Sequence, residues 1–199
     1  MKHLTLYILM LLCSIPAAAQ EGSQAHDILL KTLALIQNPG GIQLDYHLRV
    51  TFYTKKGHII FKGNKFRRES KKTIDWFDGT TFWTLNKSSK VCKIQRPKKQ
   101  TDQNLASMMN SARTDCVYKL KDEGHLWRIN VKSKVKGAKV KEAEVLVYKT
   151  TYAPAQLRIR FGLIWATITL SNFKAANYDD SNFHFDPHKY PGVKIVDKR

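Results

Sequence analysis

The residues able to do chemistry are thinly spread. His26, His47, His58, His125, His184 and His188 are scattered along the chain. His184 and His188 have the spacing of a helical metal pair, but Pro187 between them breaks a helix there. Asp179 and Asp180 are adjacent, which suits a turn better than a general acid set against a general base. No G-x-S-x-G, H-E-x-x-H, Walker or G-x-G-x-x-G pattern occurs, and the cysteines form no C-x-x-C. The expectation is a protein that is not an enzyme and needs no metal or cofactor. What the sequence offers instead is apolar surface, set out at strand and helix periods.

The strand period is clearest in IQLDYHLRVTF. Ile42, Leu44, Tyr46, Leu48, Val50 and Phe52 take one parity, and Gln43, Asp45, His47, Arg49 and Thr51 the other. Side chains alternate across a strand, so this is a half-buried strand that needs neighbours. HIIFKGNKFRRES reads as a returning strand after a turn at Lys55-Lys56-Gly57, with a bulge or bend at Gly63-Asn64. TIDWFDGTTFWTL reads as a hairpin about Asp78-Gly79, then KVCKIQ as a strand ended by Pro97. VYKL, HLWRINVK, AEVLVYKT, QLRIRFG and LIWATITLSNF continue the β pattern. Two stretches change period. From Gln24 to Gln37, Ala25, Leu29, Leu33 and Ile36 recur at helical spacing until Asn38-Pro39-Gly40-Gly41. TDQNLASMMNSA puts Leu105, Met108, Met109 and Ala112 on one helical stripe, either plain core or a face for varied apolar ligands.

Residues 1–19 carry Lys2, an apolar run from Leu4 to Ile15 and Ala17-Ala18-Ala19. That order is a secretory signal peptide cut after Ala19, leaving 20–199 as a single domain. Leu12 before Cys13 does not fit a lipidation site. Cleavage leaves Cys92 and Cys116, which in an oxidising compartment either bridge or stay as two buried thiols. A bridge closing about 25 residues would contribute about 3.5 kcal/mol. The 34 Lys+Arg against 16 Asp+Glu give a formal +18. That balance suits an acidic protein or an anionic lipid surface, or it is a solvated basic face; export disfavours nucleic acid.

Three segments resemble the LolA family, the periplasmic carriers of outer-membrane lipoproteins. FKGNKFRRE (Phe61 to Glu69) resembles its K-R-P-N-x-F strand, and WFDGTTFW (Trp76 to Trp83) its D-G-x-x-x-W hairpin. LSNF followed by FHFDPHKYPGVKIVD resembles its closing strand and C-terminal ending. The resemblance implies an α+β, mainly β fold: an incomplete antiparallel β-barrel, open as a half-barrel, with helices as a lid over an apolar cavity. It implies a periplasmic monomer holding the acyl chains of a lipoprotein taken from an inner-membrane ABC exporter and passed to an outer-membrane acceptor. Candidate cavity residues are Leu44, Tyr46, Leu48, Val50, Phe66, Trp76, Trp127, Ile129, Trp165 and Ile168, with Leu105, Met108 and Met109 from the lid. For each of them the alternative is ordinary core. The family's arginine before Pro, associated with lid closure and transfer, falls on Lys62, with Gly63 in place of Pro; Lys62 is thus the candidate latch, and Arg67 or Arg68 could stand in. Two other functions stay open: a periplasmic binder of a lipid or lipid-linked metabolite, and a basic module docking an acidic partner.

Overall fold

The computed structural model describes residues 17–96, 116–137 and 140–199. Most of the expected signal segment and the lid residues Leu105, Met108 and Met109 lie outside the described residues. Helix α1 spans Ala17–Ile36 and starts before its apolar period, in the helix-favouring Ala17-Ala18-Ala19. Among the described residues twelve strands follow: β1 Ile42–Val50, β2 Tyr53–Lys62, β3 Lys65–Ser70, β4 Thr73–Phe77, β5 Phe82–Asn86, β6 Val91–Gln95, β7 Cys116–Glu123, β8 Leu126–Ser133, β9 Glu142–Tyr148, β10 Pro154–Phe161, β11 Ile164–Ala175 and β12 Lys194–Asp197. They form one open sheet in the order β12-β6-β5-β4-β3-β2-β1-β11-β10-β9-β8-β7. Every pairing is antiparallel except β12 on β6, where the C-terminal tail returns along the sheet edge.

The alternating strand β1 lies mid-sheet, between β2 and β11. Its register pairs Leu48 with Lys55 on one side and with Ile168 on the other. Two expected turns fall elsewhere. The β1–β2 reversal is Thr51-Phe52, with Thr51 at φ 47°, and Gly57 lies inside β2. A Cβ on Gly57 would stand 2.8 Å from the Tyr46 hydroxyl, so the glycine makes room for the tyrosine across the pair. Gly63-Asn64 is a full hairpin turn rather than a bulge or bend within one strand. Gly63 at φ 59° supplies the positive φ that a two-residue reversal needs, and Phe61 and Phe66 then face each other across it. Around Asp78-Gly79 the hairpin forms as expected, closed by Asp78 Oδ1 accepting from the backbone N–H groups of Thr80 and Thr81.

Two clusters cover opposite faces at opposite ends of the strand order. On one face α1 buries Ala25, Ile28 and Leu29 against Ile129 and Val147, with Tyr118, Leu120 and Trp127 around them. On the other, the tail lays Phe185, Tyr190 and Val193 over Ile74, Trp76, Leu85 and Cys92. Short 3₁₀ turns at Asp180–Phe183 and Pro187–Lys189, each capped by the aspartate before it, shape the tail to that surface. Trp76 is 3% exposed and meets Phe185 and Tyr190 edge-on at 5.5 Å each. Trp76→Ala should therefore destabilise the fold by about 3–5 kcal/mol, the cost of an emptied aromatic site. A urea midpoint within error of the parent would show that the tail does not depend on it.

Candidate functional site

Register assigns each side chain to a face. The face carrying α1 takes Leu44, Tyr46, Leu48 and Val50 from β1 and Phe66 from β3, which sits opposite Phe77; Phe82 follows on β5. Across β11 it takes Ile168, opposite Leu48, and then Leu157 on β10 and Val145 on β9. Ile129 pairs with Val145 and Trp127 with Val147 on β8. Eight of the ten expected cavity residues thus share one apolar surface: Leu44, Tyr46, Leu48, Val50, Phe66, Trp127, Ile129 and Ile168. Among the described residues α1 packs on the β7–β9 part of it. Between the helix and β5, Tyr46, Leu48, Phe66, Phe77, Phe82 and Ile168 remain half-buried.

Trp76 and Trp165 are corrections, because they stand on the opposite face. Trp76 pairs with Arg67 and Trp83 and lies under the tail. Trp165 pairs with Arg160, and the Arg158 guanidinium stacks over its ring at 4.6 Å. The same face carries a lattice of charge across β8, β9 and β10. Arg128 donates to Glu123 at 2.7 Å and to Glu144 at 2.8 Å, and Arg158 shares Glu144 at 2.8 Å. Large aromatics suggested a cavity to sequence reasoning, but only the register, carried strand by strand from β1, settles their side.

The apolar face holds one polar inset that the sequence did not announce. Asp75, 4% exposed on β4, accepts from Arg68 Nη2 at 2.6 Å and Nε at 3.0 Å, and from the Thr84 hydroxyl at 3.0 Å. The three residues lie opposite one another on β3, β4 and β5. Beside them the Tyr46 hydroxyl is buried with no hydrogen-bond partner among the described residues. Burial pushes the Tyr46 hydroxyl above its usual pKa, so it stays a neutral donor at physiological pH. Arg67, by contrast, points to the tail-bearing face and pairs with Glu69.

Lys62 also faces the tail. Its Nζ donates to the Tyr178 carbonyl at 2.8 Å and to Asp180 Oδ1 at 3.1 Å, while Lys65 holds the other Asp180 oxygen at 2.6 Å. Cys92 and Cys116 are not bridged. Cys92 sits on β6 under the tail, its thiol pushed up to about 11 by burial. Cys116 opens β7 at the other edge, paired with Ser133 on the helix-bearing face. A depression of about 710 Å³ bounded by Thr80, Thr81, Arg96, Asp197 and Arg199 has polar walls, and none of the expected cavity residues borders it. No described helix is long and apolar enough to cross a membrane.

Fold and faces define a mainly β protein built on one open, non-closed sheet with a helix against its apolar side. A family model described as outer membrane lipoprotein carrier protein LolA matches residues 15–163, and the chain belongs to that LolA-like family. No curated protein matches the sequence. Among solved structures, an uncharacterized conserved protein from Thermus thermophilus is similar at TM-score 0.56 and 14% identity, over 88% of this chain and 99% of that one. That likeness shows a fold common to the two proteins over most of their lengths. LprF from Mycobacterium bovis is similar at TM-score 0.48 and 10% identity, over 80% and 98%. A LolA superfamily protein from Nitrosomonas europaea is similar at 0.40 and 11%, over 81% and 97%.

Hydrogen bonds from Lys65 and then Lys62 hold the Asp180 carboxyl below its usual pKa. A carboxylate depressed on folding contributes above its unfolded value of about 3.9, and that contribution fades as pH falls through the lower folded value. Asp180→Asn should therefore speed amide exchange across the tail at neutral pH and change nothing well below about pH 3. Equal exchange in the two proteins at neutral pH would mean that the lysines do not tie the tail down.

Proposed function

We propose that the protein is a periplasmic carrier that shields the acyl chains of lipoproteins on its helix-bearing face and moves them toward the outer membrane. The observation that carries this reading is the apolar band from β8 to β5, left half-buried between α1 and β5. Such a band attracts hydrocarbon without demanding direction, at about 25 cal/mol per Å² removed from water, so it accepts acyl chains of different lengths, each held in proportion to the area it buries. Closure of the band into a cavity under a lid by the segment bearing Leu105, Met108 and Met109 belongs to the same proposal. So do a donor exporter and an outer-membrane acceptor. Carriage of this kind needs no catalytic group.

The polar inset favours a cargo that is not pure hydrocarbon. A neutral Tyr46 hydroxyl beside the Arg68–Asp75 pair suits the ester and glyceryl oxygens at the head of an acylated cysteine, and leaves the chains to Leu48, Phe66 and Ile168. The same inset also supports a second reading, a carrier of a free lipid or lipid-linked metabolite with an ester or hydroxyl head.

Native mass spectrometry of protein purified from periplasm without detergent separates the two. An acylated polypeptide released on denaturation is the expected result. A free lipid would move the function to lipid transport, and an empty protein that also refuses acylated peptides would end both readings. In a fluorescence uptake assay Leu48→Asp should lower binding of an acyl probe at least tenfold, while Trp165→Asp, on the charged face, leaves it within about twofold. The reverse order would mean that the wrong face has been assigned.

A further inference from the structure

The meander sorts its connections by end. The β1–β2, β3–β4, β5–β6, β8–β9 and β10–β11 reversals emerge at one end of the sheet, since Val50 pairs with both Tyr53 and Ala166 while Thr73 pairs with Asn86 and Lys132 with Glu142. None of these five connections contains Asp or Glu, yet they bring Lys71, Lys72, Lys87, Lys90, Lys134 and Lys136 to that end. The opposite end carries Asp78, Asp122, Glu123 and Asp180. Asp122, Glu123 and Asp180 lie there in ion pairs with Lys149, Arg128, Lys62 and Lys65, so the basic end is set apart by connections that hold lysines and no carboxylate.

Among the described residues, the same basic end bears the most exposed large apolar side chains. Phe52, at the tip of β1–β2, is 100% exposed, and Leu163, at the tip of β10–β11, is 90% exposed. Tyr53, Phe161 and Ile164 flank them, also exposed. Because β1 and β11 are neighbours, the two tips stand side by side. Isolated apolar side chains on a surface are ordinary, but two adjacent hairpin tips crowned by Phe and Leu within a field of lysines are not. Thr51 makes the first tip at φ 47°, a conformation costly for a β-branched residue, and so holds Phe52 clear of the sheet.

We infer that this end docks on an anionic lipid bilayer, with Phe52 and Leu163 wedged among the headgroups and acyl boundary and the surrounding lysines over the phosphates. An apolar tip alone gives marginal binding and a basic patch alone gives salt-labile binding; the combination supplies the two signals that stable peripheral attachment takes. An acidic protein partner would account for the lysines but not for a fully exposed Phe between them. The docking does not depend on what the apolar face carries. The row Leu44, Tyr46, Leu48 and Val50 runs down β1 toward the Phe52 tip, so the apolar band points at the docking end, with Lys55 opposite Leu48.

The test is co-sedimentation of the purified chain with vesicles of phosphatidylcholine containing about one third phosphatidylglycerol, against phosphatidylcholine alone. Binding is expected to the anionic vesicles, to weaken as NaCl rises from about 0.05 to 0.5 M, and to fall at least tenfold in F52S/L163S. That variant should keep the parent's melting temperature and acyl-probe uptake, which separates failure of docking from failure of the carrier reading. K71Q/K72Q/K90Q should lose the salt dependence and much of the binding. No binding to anionic vesicles at low salt, or binding undiminished in F52S/L163S, would overturn the inference. So would a change from dimer to monomer in F52S/L163S on analytical ultracentrifugation, which would make the tips a contact between two copies.

Discussion

The pairing of β1 with β11 is the contact on which everything else rests. It joins two meanders, β1 to β6 and β7 to β11, whose members otherwise pair only with their neighbours in sequence or, for β6, with the tail. The join is long-range in sequence and must close a large loop before it gains anything, so the alternating pattern of β1 has to reward it on both sides at once. Leu48 stands at the centre of the seam, opposite Ile168 on β11 and Lys55 on β2. Once the seam is set, the parity of β1 dictates the parity of all eleven remaining strands.

From that parity follows an economy of covering. A helix lies on one face over β7–β9, and the tail lies on the other over β4–β6. Neither element reaches across, so the central strands keep one apolar face that is half-buried, with the Arg68–Asp75–Thr84 inset at its border. On the second meander, the uncovered reverse face is finished with ion pairs instead of a helix. There Arg128, Arg158, Glu123 and Glu144 face one another across strands and satisfy one another's charge, with Trp165 under the Arg158 guanidinium.

The parts legible in the sequence were those that local chemistry decides. The alternation of β1, the Asp78-Gly79 hairpin, the run of strands after Cys116 and the amphipathic helix all rest on periods of two or 3.6 and on turn residues. The misplacements have physical sources. Thr51-Phe52 carries no turn signal, because a Thr at positive φ is tolerated here against its preference, so the reversal was placed at the nearest glycine instead. At Gly63-Asn64 the glycine signals a bulge or bend as readily as a hairpin, and only the pairing of Phe61 with Phe66 decides for the hairpin. For Trp76 and Trp165, residue type suggested a cavity wall, and no local rule could say which side of the sheet each occupies. The Tyr46–Arg68–Asp75 neighbourhood spans three strands and has no local signature at all.

The departure from the family pattern at residues 62 and 63 is intelligible in the same terms. Proline is confined to φ near −65°, and the turn between β2 and β3 has φ 59° at residue 63, so Gly63 and a proline specify different turns. A tight reversal with glycine keeps Lys62 paired directly with Lys65, and both ammonium groups converge on Asp180. Arginine's planar fork suits one bidentate partner. Lysine's three donors suit two acceptors in different directions, here a carbonyl and a carboxylate of the tail. The Lys-Gly pair therefore fits a strand end that fastens the C-terminal segment, and the like charges of Lys62 and Lys65 make Asp180 the residue that lets this turn close against it.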